Sequence, residues 1–197
     1  MSRRHTDAAL LEAARECVAA VGVKRTTVAD VARRAGASRM TVYRMFPDAQ
    51  TLWSTLLTRE FSEVIDDAER EAASLATARE RLVAMTVTAV RRIVADPVVR
   101  RVLEVDPELL VPYIIERLGQ SQRIAMRVFT RLLDEGRADG SIRPVDDNVV
   151  AYCLQLVVGS FVLAAQVTER ESNPDAVVAE LSRLLDAYLA PSLERPG

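Results

Sequence analysis

Hydrophobic residues recur at helical spacing along most of this chain. From Asp7 to Val21 the apolar positions fall at i, i+4, i+7 and i+11, which indicates an amphipathic helix. No strand-like alternation of apolar and polar residues competes with the helical pattern. We therefore predict an all-α protein. Further helices are expected at about 28–35, 39–45, 48–73, 76–95, 97–104, 107–137, 146–168 and 174–190, with a kink or late start near Pro112.

Two of the short helices are separated by a turn that contains glycine. Thr27 and Asp30 have the spacing of a capping box, Gly36 can take the left-handed conformation that ends a helix, and Ser38 can cap the next one. Two short helices joined in this way form a helix-turn-helix. The N-termini at Thr27 and Ser38 would offer backbone N–H groups to phosphates. The side chains that the second helix would present to the major groove of DNA are those of Arg39, Met40, Thr41, Tyr43 and Arg44.

The charge of the chain is unevenly distributed. The 197 residues carry a net charge of −2, but residues 1–47 hold nine basic and four acidic side chains, and the rest hold 17 basic and 24 acidic ones. A basic head of +5 on an acidic body of −7 is typical of a nucleic-acid-binding module joined to a second domain. A chance fluctuation on a solvated surface gives the same numbers, so the motifs have to decide.

The helix-turn-helix segment resembles a known family. Residues 26–46, TTVADVARRAGASRMTVYRMF, are similar to the DNA-binding domain of the TetR family of bacterial repressors, and the resemblance covers roughly residues 6–60. It implies a helix-turn-helix domain at 1–47 and an effector-binding and dimerisation domain at 48–197. In that family the aromatic at the position of Tyr43 contacts backbone phosphate, as do residues at the start of the preceding helix. By resemblance those roles fall to Tyr43, Thr26 and Thr27.

The chain departs from the family pattern at two positions. Met40 stands where the family usually has Gly, and a Met there either packs against a base or occludes the groove. Asp48-Ala49-Gln50 follows Pro47 where the family often has a Lys that reaches phosphate. The operator sequence therefore cannot be taken from relatives.

The last two predicted helices favour self-association. The segment 146–168 is apolar nearly all round, so it is expected to be buried on two sides, and 174–190 repeats the pattern. We infer a symmetric homodimer with two helices of each subunit at the interface, which is also how the family uses its last two helices. Such a dimer places two recognition helices on a pseudo-palindromic operator of double-stranded DNA.

The interior of 76–165 is the candidate site for a small apolar or amphipathic effector. The alternative is an ordinary packed core, although Tyr113, Tyr152 and Gln155 would bring polar groups into an apolar setting. The candidate lining residues are Met85, Leu109, Tyr113, Met126, Phe129, Tyr152 and Gln155.

Composition excludes several other functions. With one His, the chain is a poor candidate for a structural zinc site or a histidine-dependent triad, and it lacks a phosphate-binding glycine-rich loop. Cys17 and Cys153 are each expected to be buried in a helix, which suits a reducing cytoplasm. The most apolar run falls short of a membrane span, and no secretory signal is expected. No enzyme activity, metal or cofactor is predicted.

Three functions remain. The first is a homodimeric repressor released from its operator by a small molecule. The second keeps the DNA-binding head but makes the body a dimerisation or protein-docking module without an effector pocket. The third is an enzyme or structural bundle whose helix-turn-helix serves only packing, which the basic head and the missing catalytic residues disfavour.

Overall fold

The computed structural model describes residues 7–109 and 120–191, apart from the side chain of Ser121. These residues form ten α-helices, one short 3-10 helix at Pro107–Leu109 and no strand, so the all-α prediction is confirmed. The helices are α1 (Asp7–Val21), α2 (Val28–Ala35), α3 (Arg39–Met45), α4 (Ala49–Ala72), α5 (Ala78–Ala95), α6 (Pro97–Val105), α7 (Gln120–Ala138), α8 (Asp147–Leu163), α9 (Ala165–Glu171) and α10 (Pro174–Leu189).

Two predicted helices differ from the observed ones. The single helix expected at 146–168 is wrong, because the chain breaks at Ala164 and α8 and α9 meet at a bend of 57°. Neither Gly nor Pro marks this break, so the sequence carries no signal for it. The helix expected at 107–137 is seen as the 3-10 helix and α7, and the kink predicted near Pro112 lies outside the described residues. Among the described helices, only the bent pair α8–α9 combines the length and apolar composition of a membrane span.

The described chain divides into two compact units. The first contains the residues up to Phe61 and those from Ala95 to Leu109, and the second contains Ser62–Val94 and the residues from Gln120 onward. The predicted boundary at residue 47 differs from this division, because the first unit also takes in the start of α4 and all of α6. Helix α6 belongs there because its buried side chains pack against α1.

A partly buried ion network holds three elements of the first unit together. The guanidinium of Arg15 on α1 lies 2.8 Å from Glu60 on α4 and 2.7 Å from Asp96. Asp96 also caps α6 by accepting from the N–H groups of Val98 and Val99. Its two carboxylate oxygens therefore start one helix and bind another. The hydrogen bond that Arg15 donates to Glu60 and the nearby negative charges raise the pKa of Arg15, which keeps the network charged.

The turn between α1 and α2 rests on the C-terminal end of α6. Asp106 is 4% exposed, and its carboxylate accepts a hydrogen bond of 3.2 Å from the backbone N–H of Lys24. Gly22 has φ of +89°, and a Cβ added to it would lie 2.5 Å from Val105 Cγ2 and 2.7 Å from Asp106 Oδ2. Glycine is required here both by the backbone conformation and by the close approach of α6.

The second unit has its own hydrophobic core. Leu82 of α5, Leu133 of α7, Leu154 of α8 and Leu181 of α10 are all at most 2% exposed and belong to one cluster. Ile142, in the loop after α7, closes over Gly136, where an added Cβ would lie 2.3 Å from its Cδ1. The helices of this unit are thus held by ordinary apolar packing.

We predict that Gly22→Ala is strongly destabilising. It should lower the free energy of unfolding by roughly 2–4 kcal/mol, because left-handed strain adds to overlap with Val105 and Asp106. The matched control is Gly36→Ala, at φ of +66° with no atom within 4 Å of the added Cβ, which should cost only about 1 kcal/mol. Urea denaturation of both variants measures the difference. Equal losses would contradict the close approach of α6.

Candidate nucleic-acid interface

Helix α2 begins with a complete capping box. The backbone N–H of Thr27 donates to Asp30 Oδ2 at 3.1 Å, and the backbone N–H of Asp30 donates to Thr27 Oγ1 at 3.2 Å. The Thr27 hydroxyl also donates to Asp30, and Arg33 pairs with the same carboxylate at 2.6 Å. The hydrogen bonds from Thr27, and then the charge of Arg33, lower the pKa of Asp30. An ionised carboxylate therefore fixes the start of the helix.

Thr26, which the family resemblance places at phosphate, is buried in the turn before α2. It is 6% exposed, and its hydroxyl donates to the carbonyl of Gly22 at 2.7 Å. The side chain thus stabilises the turn before α2. Thr27 is exposed at the N-terminus of α2, as expected.

Helix α3 is anchored by two apolar side chains and capped by Ser38. Val42 is fully buried and Phe46 is 5% exposed, and together they define the inner side of the helix. Ser38 Oγ accepts from the N–H of Thr41 at 3.1 Å, and the two hydroxyl groups lie 2.9 Å apart. The Thr41 hydroxyl is therefore used at the start of the helix.

The outer side of α3 carries a row of exposed side chains. Met40, Tyr43 and Arg44 share one face at i, i+3 and i+4, and Arg39 lies one turn before Tyr43. Met40 is 76% exposed and Tyr43 is 48% exposed, while both arginines are exposed. Within the described part of the chain, neither Arg39 nor Arg44 makes an ion pair. This row brings together four of the five predicted groove residues, and no described residue neutralises its positive charge.

A cleft of about 460 Å³ with a largely basic lining lies beside α2. Arg25, Arg33 and Arg34 line it with Asp30, and buried Cys17 forms part of its wall. Arg34 is already paired with Glu16 at 2.5 Å, whereas Arg25 is exposed. The position of Arg25, directly before the Thr-Thr pair, is the sequence signal that identifies it. Burial raises the pKa of the Cys17 thiol, which keeps it protonated.

The residues predicted to line an effector pocket are only partly brought together. Met85 and Phe129 are buried in the core of the second unit, with Met126 packed against them. Gln155 is half-buried, Leu109 belongs to the first unit, and Tyr113 lies outside the described residues. A cleft of about 140 Å³ beside Met85 is lined mainly by charged and small residues, including Arg81, Arg131, Glu69 and Glu135.

Two residues of α8 lie on the surface of the chain. Tyr152 is 47% exposed, so the expectation that it faces the interior is wrong. Cys153 is exposed too, whereas the predicted burial of Cys17 is confirmed. A helix that is apolar nearly all round does not reveal which side faces inward, and this is the physical reason for both errors.

The sequence of this chain is similar to those of known bacterial regulators. The family model for bacterial regulatory proteins, tetR family, matches residues 10–52. An uncharacterized HTH-type transcriptional regulator of Mycobacterium tuberculosis is 34% identical over 187 residues, which are 95% of this chain and 96% of the relative. A regulator of the same description from Mycobacterium bovis has the same identity and coverage. The chain belongs to the tetR family of bacterial regulatory proteins.

Solved structures share the fold of this TetR-family regulator. FadR, a fatty acid degradation regulator from Bacillus halodurans, has a TM-score of 0.73 at 16% identity and covers 100% of both chains. FadR from Bacillus subtilis, solved in complex with stearoyl-CoA, has a TM-score of 0.70 at 16% identity over 93% of this chain and 100% of the other. The TetR family repressor AlkX from a Dietzia species has a TM-score of 0.69 at 20% identity over 95% and 97%.

The capping box predicts a pH-dependent contribution to stability. The pKa of Asp30 is lowered in the folded protein, so its stabilisation is complete above the unfolded pKa of about 3.9. That stabilisation is lost as the pH falls through the lower folded pKa. Asp30→Asn should therefore be less stable than the parent protein at pH 7, and the gap should close as the pH falls below about 4. Urea denaturation at pH 7 and at acid pH measures the gap, and a constant gap would contradict the role of the ionised carboxylate.

Proposed function

We propose that this transcriptional regulator is a homodimeric repressor that reads a pseudo-palindromic operator with α3 in the major groove. The observation that carries the proposal is the exposed row on α3, where Arg39 and Arg44 are free of ion pairs within the described chain. Arginine can form bidentate hydrogen bonds to guanine, and the first residues of a recognition helix are those that meet base edges. Since the ligand is chromosomal DNA, we place the protein in the cytoplasm.

Phosphate contacts are assigned to groups that flank this row. The exposed N-terminus of α2 at Thr27 and the N-terminus of α3 at Ser38 offer backbone N–H groups. Tyr43 adds a hydroxyl group, and Arg25 lies beside the start of α2. Contacts of this kind set the register of the protein on DNA, whereas side chains on the outer face of α3 read the sequence.

The proposed dimer interface is the exposed apolar side of α8 and α10. Val149, Tyr152 and Leu156 recur at i, i+3 and i+7 and are 58%, 47% and 44% exposed. Leu184 and Tyr188 on α10 are 57% and 39% exposed at i and i+4. Apolar rows of this size on two helices that share one core are expected to be covered, and a second copy of the same surface makes a closed two-fold contact.

The proposed effector is a small apolar or amphipathic molecule that binds the body and lowers operator affinity. Met85, Met126 and Phe129 supply an apolar interior, and FadR from Bacillus subtilis has been solved with stearoyl-CoA. Coupling between the two sites must be reciprocal, so operator DNA should weaken effector binding by the same factor.

In the second candidate function, the body is a dimerisation or protein-docking module with a filled core. The close packing of Met85 and Phe129, at 3% and 4% exposure, favours it. One measurement distinguishes the two candidate functions. Acyl-CoA thioesters of increasing chain length should cause the protein to release operator DNA only if its body binds an effector.

We predict that Arg44→Ala weakens operator binding by about tenfold or more, because one bidentate base contact is lost. Tyr43→Phe should weaken binding by a few-fold, because it removes one hydroxyl contact. Fluorescence anisotropy on an operator selected from genomic fragments measures both effects. The matched control is Arg183→Ala on α10, an exposed arginine that pairs with Glu180, which should leave affinity unchanged. Parental affinity of the Tyr43 and Arg44 double variant would contradict the groove assignment.

We predict that Leu156→Glu weakens dimerisation by at least about tenfold, because it places an unpaired charge in the proposed apolar contact. The control is Val167→Glu on α9, where the native side chain is 58% exposed but lies outside this face. Analytical ultracentrifugation over a range of concentrations gives the dissociation constants. If the α9 variant is the one that dissociates, the interface has been assigned to the wrong helices.

A further inference from the structure

Met40 is the most exposed large hydrophobic side chain in the described part of the chain, at 76%. None of the residues that the structure describes covers it, since α3 is anchored through Val42 and Phe46 on its other side. A thioether side chain gains free energy when apolar surface is removed from water, so this position favours an apolar partner. The partner must approach the outer face of α3.

The neighbours of Met40 determine where this partner lies. Arg39 and Arg44 flank it with positive charge that no described residue pairs with, and Tyr43 shares its face one turn later. Met40 is the second residue of α3, in the turn that meets base edges when a recognition helix enters the major groove. The hydroxyl of Thr41 is already 2.9 Å from that of Ser38, and Thr41 is half-buried, so Met40 offers the largest exposed apolar surface of this turn.

The major groove presents one strongly apolar feature, the C5-methyl group of thymine. A methionine side chain has no hydrogen-bond donor, and its unbranched, polarizable chain adapts to an irregular apolar surface. We propose that Met40 is a specificity-determining residue that packs against a thymine methyl group at one position of each operator half-site. The contact selects thymine over cytosine, and it accepts 5-methylcytosine because that base carries the same methyl group.

This inference rests on the proposed function, in which α3 enters the major groove. It adds a role for Met40 that hydrogen-bonding residues cannot perform. It also distinguishes a Met40 that packs against a base from one that occludes the groove. If Met40 occludes the groove, its truncation should raise the affinity of the protein for its operator. If Met40 packs against a base, truncation should lower that affinity.

The test replaces thymidine by deoxyuridine, one position at a time, in an operator selected from genomic fragments with the full-length protein. This change removes only the methyl group and leaves the hydrogen-bonding edge of the base intact. For the parent protein, we expect one position in each half-site at which the loss weakens binding by about fourfold, the size of one buried methyl contact. Placing 5-methylcytosine at that position should bind more tightly than cytosine.

Variants at residue 40 identify the side chain responsible. With Met40→Ala, the same deoxyuridine substitution should have no further effect, because the contact is already lost. Met40→Leu should restore sensitivity to the methyl group, because it restores apolar contact. Alanine is a good helix former at this exposed position, and circular dichroism verifies that the overall helix content is retained.

Three results would overturn the inference while leaving the proposed function intact. They are specific binding with no methyl-sensitive position, equal sensitivity in the parent and Met40→Ala proteins, and tighter binding by Met40→Ala. Absence of sequence-specific binding by the parent protein would instead contradict the proposed function, and this inference with it. Sensitivity that is present in the parent, lost with alanine and restored with leucine would establish the contact.

Discussion

The buried carboxylate of Asp106 is the constraint on which the DNA-binding end of the molecule depends. It sits at the end of α6 and accepts the backbone N–H of Lys24, in the turn that leads into α2. The turn can approach α6 only because residue 22 has no side chain. Since α2 packs against α3, the position of the exposed row on α3 follows from this contact. A buried carboxylate without such a donor would be destabilising, so the two elements are expected to hold together.

The arginines of the first unit include some that form ion pairs with described residues and others that do not. Arg15 is partly buried between Glu60 and Asp96, whereas Arg33 and Arg34 make exposed pairs that contribute little to stability. Arg39 and Arg44 remain without an ion-pair partner in the described chain. The net charge of +5 predicted for residues 1–47 is thus partly neutralised inside the unit. Among the described residues of this segment, the basic side chains without an ion pair are Arg25, Arg39 and Arg44, and two of these three lie on the helix that we assign to the groove.

Local signals in the sequence explain which parts of the fold were predictable. The bounds of α1 and α3 follow from apolar spacing and from the cap at Ser38, which act within a few residues. The break at Ala164 and the exposed positions of Tyr152 and Cys153 depend on how α8 packs against the rest of the second unit, which local patterns do not encode. Likewise, the burial of Thr26 depends on its bond to Gly22, whereas the resemblance suggested only a position near phosphate.

The caps of α2 and α3 have a consequence for the thermodynamics of recognition. Both helices are short, and isolated helices of seven or eight residues are unstable in water. Here the reciprocal bonds of Thr27 with Asp30, and the hydroxyl of Ser38, hold their first turns without any ligand. Little conformational entropy then remains to be lost when DNA arrives, so association resembles the docking of a preformed surface more than coupled folding. The heat capacity change of DNA binding should therefore report mainly the apolar area buried at the protein–DNA interface.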